Sequence, residues 1–96
     1  MVVVLGVENM ETFFDLTEEH VRNGKTIPIS EKRVRIMFRP SQADVVLLLK
    51  KNPGIVEVGF QQWYVKTLPK SMYDLVRAFG AEPYIVYGRC KSAKRA

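Results

Sequence analysis

At 96 residues, 47% of them apolar and 26% charged, the chain has the make-up of one ordinary globular domain, with no low-complexity tract of the kind that prevents a core from forming. Its longest apolar run, Val45 to Leu49, falls far short of the roughly 20 residues a membrane helix needs. The net charge of +5 is unevenly spread: residues 1–24 hold five acids against Arg22, whereas residues 25–96 hold fourteen Lys or Arg against five acids.

Val2-Val3-Val4-Leu5, ending at Gly6, reads as a buried strand, and the start has neither the basic flank nor the apolar length of a signal peptide. Met10, Phe13, Phe14, Thr17 and Val21 then recur at helical spacing behind Asn9 as the candidate N-cap, which predicts a helix over 10–23 closed by Gly24. Pro28, between Ile27 and Ile29, suits a loop or a sheet edge. In Arg33-Val34-Arg35-Ile36-Met37-Phe38 the apolar residues alternate with arginines, the signature of a strand with one wet face.

Ser41 and Asp44 stand three apart and resemble a capping box opening a helix through Lys51, which Asn52-Pro53-Gly54 stops. A third strand over 55–60 is expected to turn Val56, Val58 and Phe60 inward and Glu57 outward, within reach of Arg35. After a polar and aromatic loop over 61–66, Leu68, Met72, Leu75, Val76 and Phe79 predict a helix with Pro69 near its start and Gly80 past its end. Tyr84-Ile85-Val86-Tyr87 is the last strand, and 89–96 is a basic, frayed tail.

The order β-α-β-α-β-α-β predicts a two-layer α/β domain over 1–88. It has a short, mostly parallel four-stranded sheet and helices mainly on one face, because the middle strands carry charge or glycine on the other.

The segment Met37-Phe38-Arg39-Pro40-Ser41-Gln42-Ala43-Asp44 is followed by Leu47 to Leu49, Asn52-Pro53, Ile55-Val56-Glu57-Val58 and Leu68-Pro69-Lys70-Ser71. That succession resembles a family of small archaeal proteins from methanogens, a domain of unknown function. The family has no assigned activity, so the resemblance implies none.

Catalytic chemistry is poorly supplied. His20, the one histidine, sits where a helix end is predicted, and Cys90, the one cysteine, lies in the basic tail with neither a disulfide partner nor a C-x-x-C neighbour. The acids Glu8, Glu11, Asp15, Glu18 and Glu19 follow helical spacing and read as a solvated face. No catalytic residues, metal or cofactor are expected, and lone thiol use points to the cytoplasm.

Binding is better supplied, because parallel strands bring their C-terminal loops to one edge. Arg39, Ser41, Gln62, Trp63, Lys66 and Arg89 are the candidates there, with Gln61 and Tyr64 beside them, for an anionic ligand such as nucleic acid. The alternative is a protein-interaction module, including a homodimer, that docks through Arg33, Arg35 and Glu57 on the open sheet face. An enzyme acting on a phosphorylated small molecule at the loop edge ranks last, for want of a general base.

Overall fold

The computed structural model describes residues 13–24, 27, 31–87 and 93–96, and of Ala93 the backbone alone. The strand expected over 2–5 lies outside them, as do Glu8, Glu11, Arg89 and Cys90. In chain order the elements are β1 (Phe14–Leu16), α1 (Glu18–Val21), β2 (Arg33–Ile36), α2 (Gln42–Lys51), β3 (Glu57–Gln61), α3 (Gln62–Val65), α4 (Lys70–Ala78), β4 (Glu82–Val86) and β5 (Ala93–Arg95). The strands form one sheet in the order β1-β2-β3-β4-β5, the first four parallel and β5 antiparallel to β4. Sheet order equal to chain order stacks the crossovers side by side, and α2 accordingly packs between α1 and α4 in one helical layer. The α/β, two-layer, mostly parallel architecture read from the sequence is the one observed, with five strands among the described residues where four were expected in the chain.

The core lies between sheet and helices. Leu16, Val34, Ile36, Val58 and Phe60 come from the strands, and Val45, Leu48, Leu49, Met72 and Val76 from the helices, all buried. Val45, Leu48 and Leu49 fall on one face of α2, while Met72 and Val76 are one turn apart on α4, as the periodicity predicts. Ser41 caps α2 through the predicted box: its Oγ accepts from Asp44 N–H (3.1 Å), and its own N–H donates to the Asp44 carboxylate (2.9 Å). Gly80, at φ +87°, ends α4 in the left-handed region that glycine adopts without strain.

Four local expectations are corrected. Within the helix predicted over 10–23, Phe14–Leu16 is a strand, and among the described residues only Glu18–Val21 is helical. Phe14 and Leu16 turn toward the helices while Asp15 pairs with Arg35 across the sheet, a period-two pattern too short to stand out against the helical one. His20 serves the start of α1, its Nδ1 accepting from Thr17 N–H at 3.1 Å. Val56, expected inward, is exposed, because β3 begins only at Glu57. Finally, Ala93–Arg95, read as part of a frayed tail, pairs with β4, where Arg77 donates to the Ala96 carbonyl at 2.7 Å.

Candidate functional site

Two regions hold the residues singled out from sequence: the C-terminal edge of the parallel strands, and the sheet face turned away from the helices.

At the edge, the segments after β2 and β3 are tied to each other. Arg39 donates from Nε to Thr67 Oγ1 (2.7 Å) and from Nη2 to the Thr67 carbonyl (2.9 Å). Thr67 Oγ1 in turn donates to the Tyr64 carbonyl at 2.7 Å. Gln42, at the start of α2, donates to Ser71 Oγ at the start of α4 (2.7 Å). Beneath these bonds the Tyr64 hydroxyl donates to the carbonyl of Ile36, the last residue of β2, at 2.7 Å. Burial pushes the Tyr64 phenol far above its usual range, so it acts as a neutral donor.

α3 is a single turn that follows β3 without a break, and it puts adjacent aromatics to opposite uses. Tyr64 is buried against Phe60, ring edge to face at 6.5 Å. Trp63 is 66% exposed, the most exposed large apolar side chain among the described residues. Its indole is fixed from two sides: Nε1 donates to Gln61 Oε1 (3.1 Å), and its ring meets Tyr64 at 5.0 Å and 85°. Lys66 follows Trp63 by three residues in helical geometry, which sets both on one face of the turn.

Lys66, Lys70, Gln62 and Arg39 are all exposed. Residues 37–43 and 61–71 contain Arg39, Lys66 and Lys70 and no acid. Among the described residues neither lysine has an ion pair, whereas two nitrogens of Arg39 are engaged by Thr67. Of the six candidates at this edge, then, Arg39, Gln62, Trp63 and Lys66 are exposed on the tied segments. Ser41 is committed to its cap, and Arg89 lies outside the described residues. Sequence reasoning missed Thr67, Gln42, Lys70 and Ser71; the Pro69-Lys70-Ser71 helix start marks the last two, but nothing local marks the Arg39–Thr67 clasp.

The open face behaves differently. Arg33 lies directly across from Glu57 in register and binds it, and Arg35 lies across from Asp15 (2.7 Å). The pairing of Glu57 with Arg35 expected from sequence is therefore corrected: register places Gly59, not Glu57, beside Arg35. The missing Cβ of Gly59 leaves room for a lid, since a methyl there would come within 2.8 Å of Val86 Cγ2 and 3.3 Å of Phe13 Cε1. Phe13 lies over this spot, edge to face with Tyr84 (6.1 Å) and under the Arg33 guanidinium at 4.5 Å. Tyr84 also holds Arg95 above the usual guanidinium range by a hydrogen bond. Asp15, read as part of a solvated helical face, instead belongs to this cross-strand network.

A third feature lies away from both regions. A cavity of about 210 Å³ beside the later turns of α2 is lined by Val21, Ile27, Leu47 and Leu48 together with His20 and Lys51. No group of three or more His, Cys, Asp or Glu side chains among the described residues is placed to hold a metal, and no helix there is long and apolar enough to cross a membrane.

The chain matches no family model, no curated protein and no solved structure.

Proposed function

We propose that the chain is a non-enzymatic binding module that takes an anionic ligand at the C-terminal edge of its parallel strands. The supporting observation is the acid-free cluster there. Arg39, Lys66 and Lys70 stand on two segments that hydrogen bonds tie together, and the lysines spend their charge on no neighbour among the described residues. Exposed cations on segments that are tied together, with no ion pair among the described residues for either lysine, favour an anion without first having to break an internal ion pair.

The open face supports a docking role less well, because Arg33, Arg35 and Glu57 already satisfy one another or Asp15 within the sheet. A self-associating partner would have to compete with pairs set by strand register.

Retention on immobilised heparin tests the proposal. The wild-type chain should elute at a distinctly higher salt concentration than the Lys66→Glu, Lys70→Glu variant, and a Lys50→Glu, Lys51→Glu control, reversing two lysines at the far end of α2, should elute between them. Equal elution of the edge variant and that control would place the charge dependence elsewhere and overturn the assignment of the edge.

A further inference from the structure

Resting on that reading, we infer that the anionic ligand is single-stranded nucleic acid, one base of which stacks on Trp63 while neighbouring phosphates lie along Lys66, Lys70 and Arg39. The indole carries the argument. Leaving a Trp side chain 66% in water forgoes much of the apolar burial that so large a side chain could contribute, yet this one is held in place. Gln61 accepts its only hydrogen-bond donor and the Tyr64 ring packs perpendicular to it, so its orientation is set before any ligand arrives.

With Nε1 engaged, the indole offers ring surface and no donor. A ring face selects a flat partner, and any of the nucleobases provides one. Lys66 on the same face of the turn supplies a cation within a few ångströms' reach of the stacking surface, as the alternation of base and phosphate along a strand requires. In a duplex, base faces are hidden by their neighbours, so an exposed stacking platform beside cations suits a strand whose bases can be splayed out. Because the indole presents no hydrogen-bonding edge, recognition there is by stacking and charge, and is expected to tolerate sequence.

The test uses the full chain, with Trp63 as its one tryptophan and hence an intrinsic reporter. Wild type is titrated with an oligothymidylate of about a dozen nucleotides, a duplex of equal length, thymidine monophosphate, and inorganic polyphosphate. The Trp63→Ala and Trp63→Phe variants are followed by anisotropy of the labelled oligonucleotide, and their polyphosphate binding by titration calorimetry. Both are checked by circular dichroism to melt like wild type, as an exposed position predicts.

The oligothymidylate should quench Trp63 and bind more tightly than the duplex or the mononucleotide. Trp63→Ala should weaken oligothymidylate binding by roughly 5- to 150-fold while leaving polyphosphate binding unchanged, and Trp63→Phe should recover part of the loss. Three neutralised phosphates would give a slope of about −2 in log K against log salt. If polyphosphate and oligothymidylate bind alike and neither responds to Trp63→Ala, the stacking inference is overturned and the anionic edge stands. A duplex or mononucleotide that binds as tightly as the single strand also overturns it. If no polyanion binds, the functional reading beneath it fails as well.

Discussion

On the open face, Arg33 and Arg35 each meet a carboxylate directly across the sheet, whereas at the C-terminal edge Lys66 and Lys70 meet none among the described residues. The contrast arises from where the residues stand in the topology. Residues opposite each other in register have their side chains held about 5 Å apart, so an Arg and an acid placed there neutralise each other as the sheet forms. Residues in the crossover segments have no such partner assigned by register, and here the sequence supplies no acid over 37–43 or 61–71, the stretches that carry Arg39, Lys66 and Lys70. A net charge of +5 therefore says little about binding until the cations that hold the fold are separated from those it leaves unspent.

The largest stability effect is expected where the open face is closed over. Gly59→Leu must fit a side chain where a bare Cβ already lies 2.8 Å from Val86 Cγ2 and 3.3 Å from Phe13. Overpacking of this kind should cost up to about 3 kcal/mol, read as a lower urea midpoint, with heparin retention of the folded protein unchanged. Unaltered stability would mean that the Phe13 lid is not part of the fold's energetics. Next is Tyr64→Phe, which removes the donor to the Ile36 carbonyl and strands a buried acceptor, at about 1–2 kcal/mol in the same measurement. The phenylalanine ring keeps the contact with the Trp63 indole, so the change isolates the hydroxyl's bond from the support of the indole.

Much of this was legible in the sequence, for identifiable reasons. The Ser41–Asp44 box, the alternation in β2 and the apolar stripes of α2 and α4 are local patterns whose periods survive over enough residues to be read. β1 was not legible, because three residues cannot display a period of two against the competing helical spacing of Phe13, Phe14, Thr17 and Val21. β5 has the composition Ala-Lys-Arg and is a strand only because the β4 edge lies beside it. At the site, parallel topology correctly implied that the segments after β2 and β3 share an edge. That Glu57 answers Arg33 instead of Arg35 depends on a register no local pattern encodes, and that Arg39 grips Thr67 depends on how two loops pack.

Smaller effects are expected at the Asp44 carboxylate, which joins the α2 cap to α1. It receives Arg22 through Nε (3.0 Å) and Nη2 (2.7 Å) and is itself almost wholly buried. The Arg22 guanidinium holds its pKa below the usual value of 3.8, against the opposing effect of burial. A carboxyl whose folded pKa is depressed contributes stability that is fully present above the unfolded value and is lost as pH falls through the folded one. Urea midpoints should therefore decline below about pH 4, and Asp44→Asn should lower the midpoint at pH 7 while flattening that decline. A variant that keeps the wild-type acid slope would assign it to other carboxylates. Ser41→Ala, which removes the Oγ that accepts from Asp44 N–H, should cost about 1 kcal/mol.

The smallest effect on stability is expected at the edge itself, and it is the one that most sharpens the contrast. Lys66→Ala with Lys70→Ala removes two exposed cations that make no ion pair among the described residues, so the urea midpoint should move by less than about 0.5 kcal/mol in equivalent stability. On the open face, removing Asp15 leaves Arg35 without its carboxylate, and Asp15→Ala should destabilise by a few tenths up to about 1 kcal/mol. If the lysine pair proved as costly as the Asp15 change, those ammonium groups would be holding the fold and would not be reserved for a ligand. A near-silent melt combined with a large loss of heparin retention is the outcome that a site, as opposed to a structural charge cluster, requires.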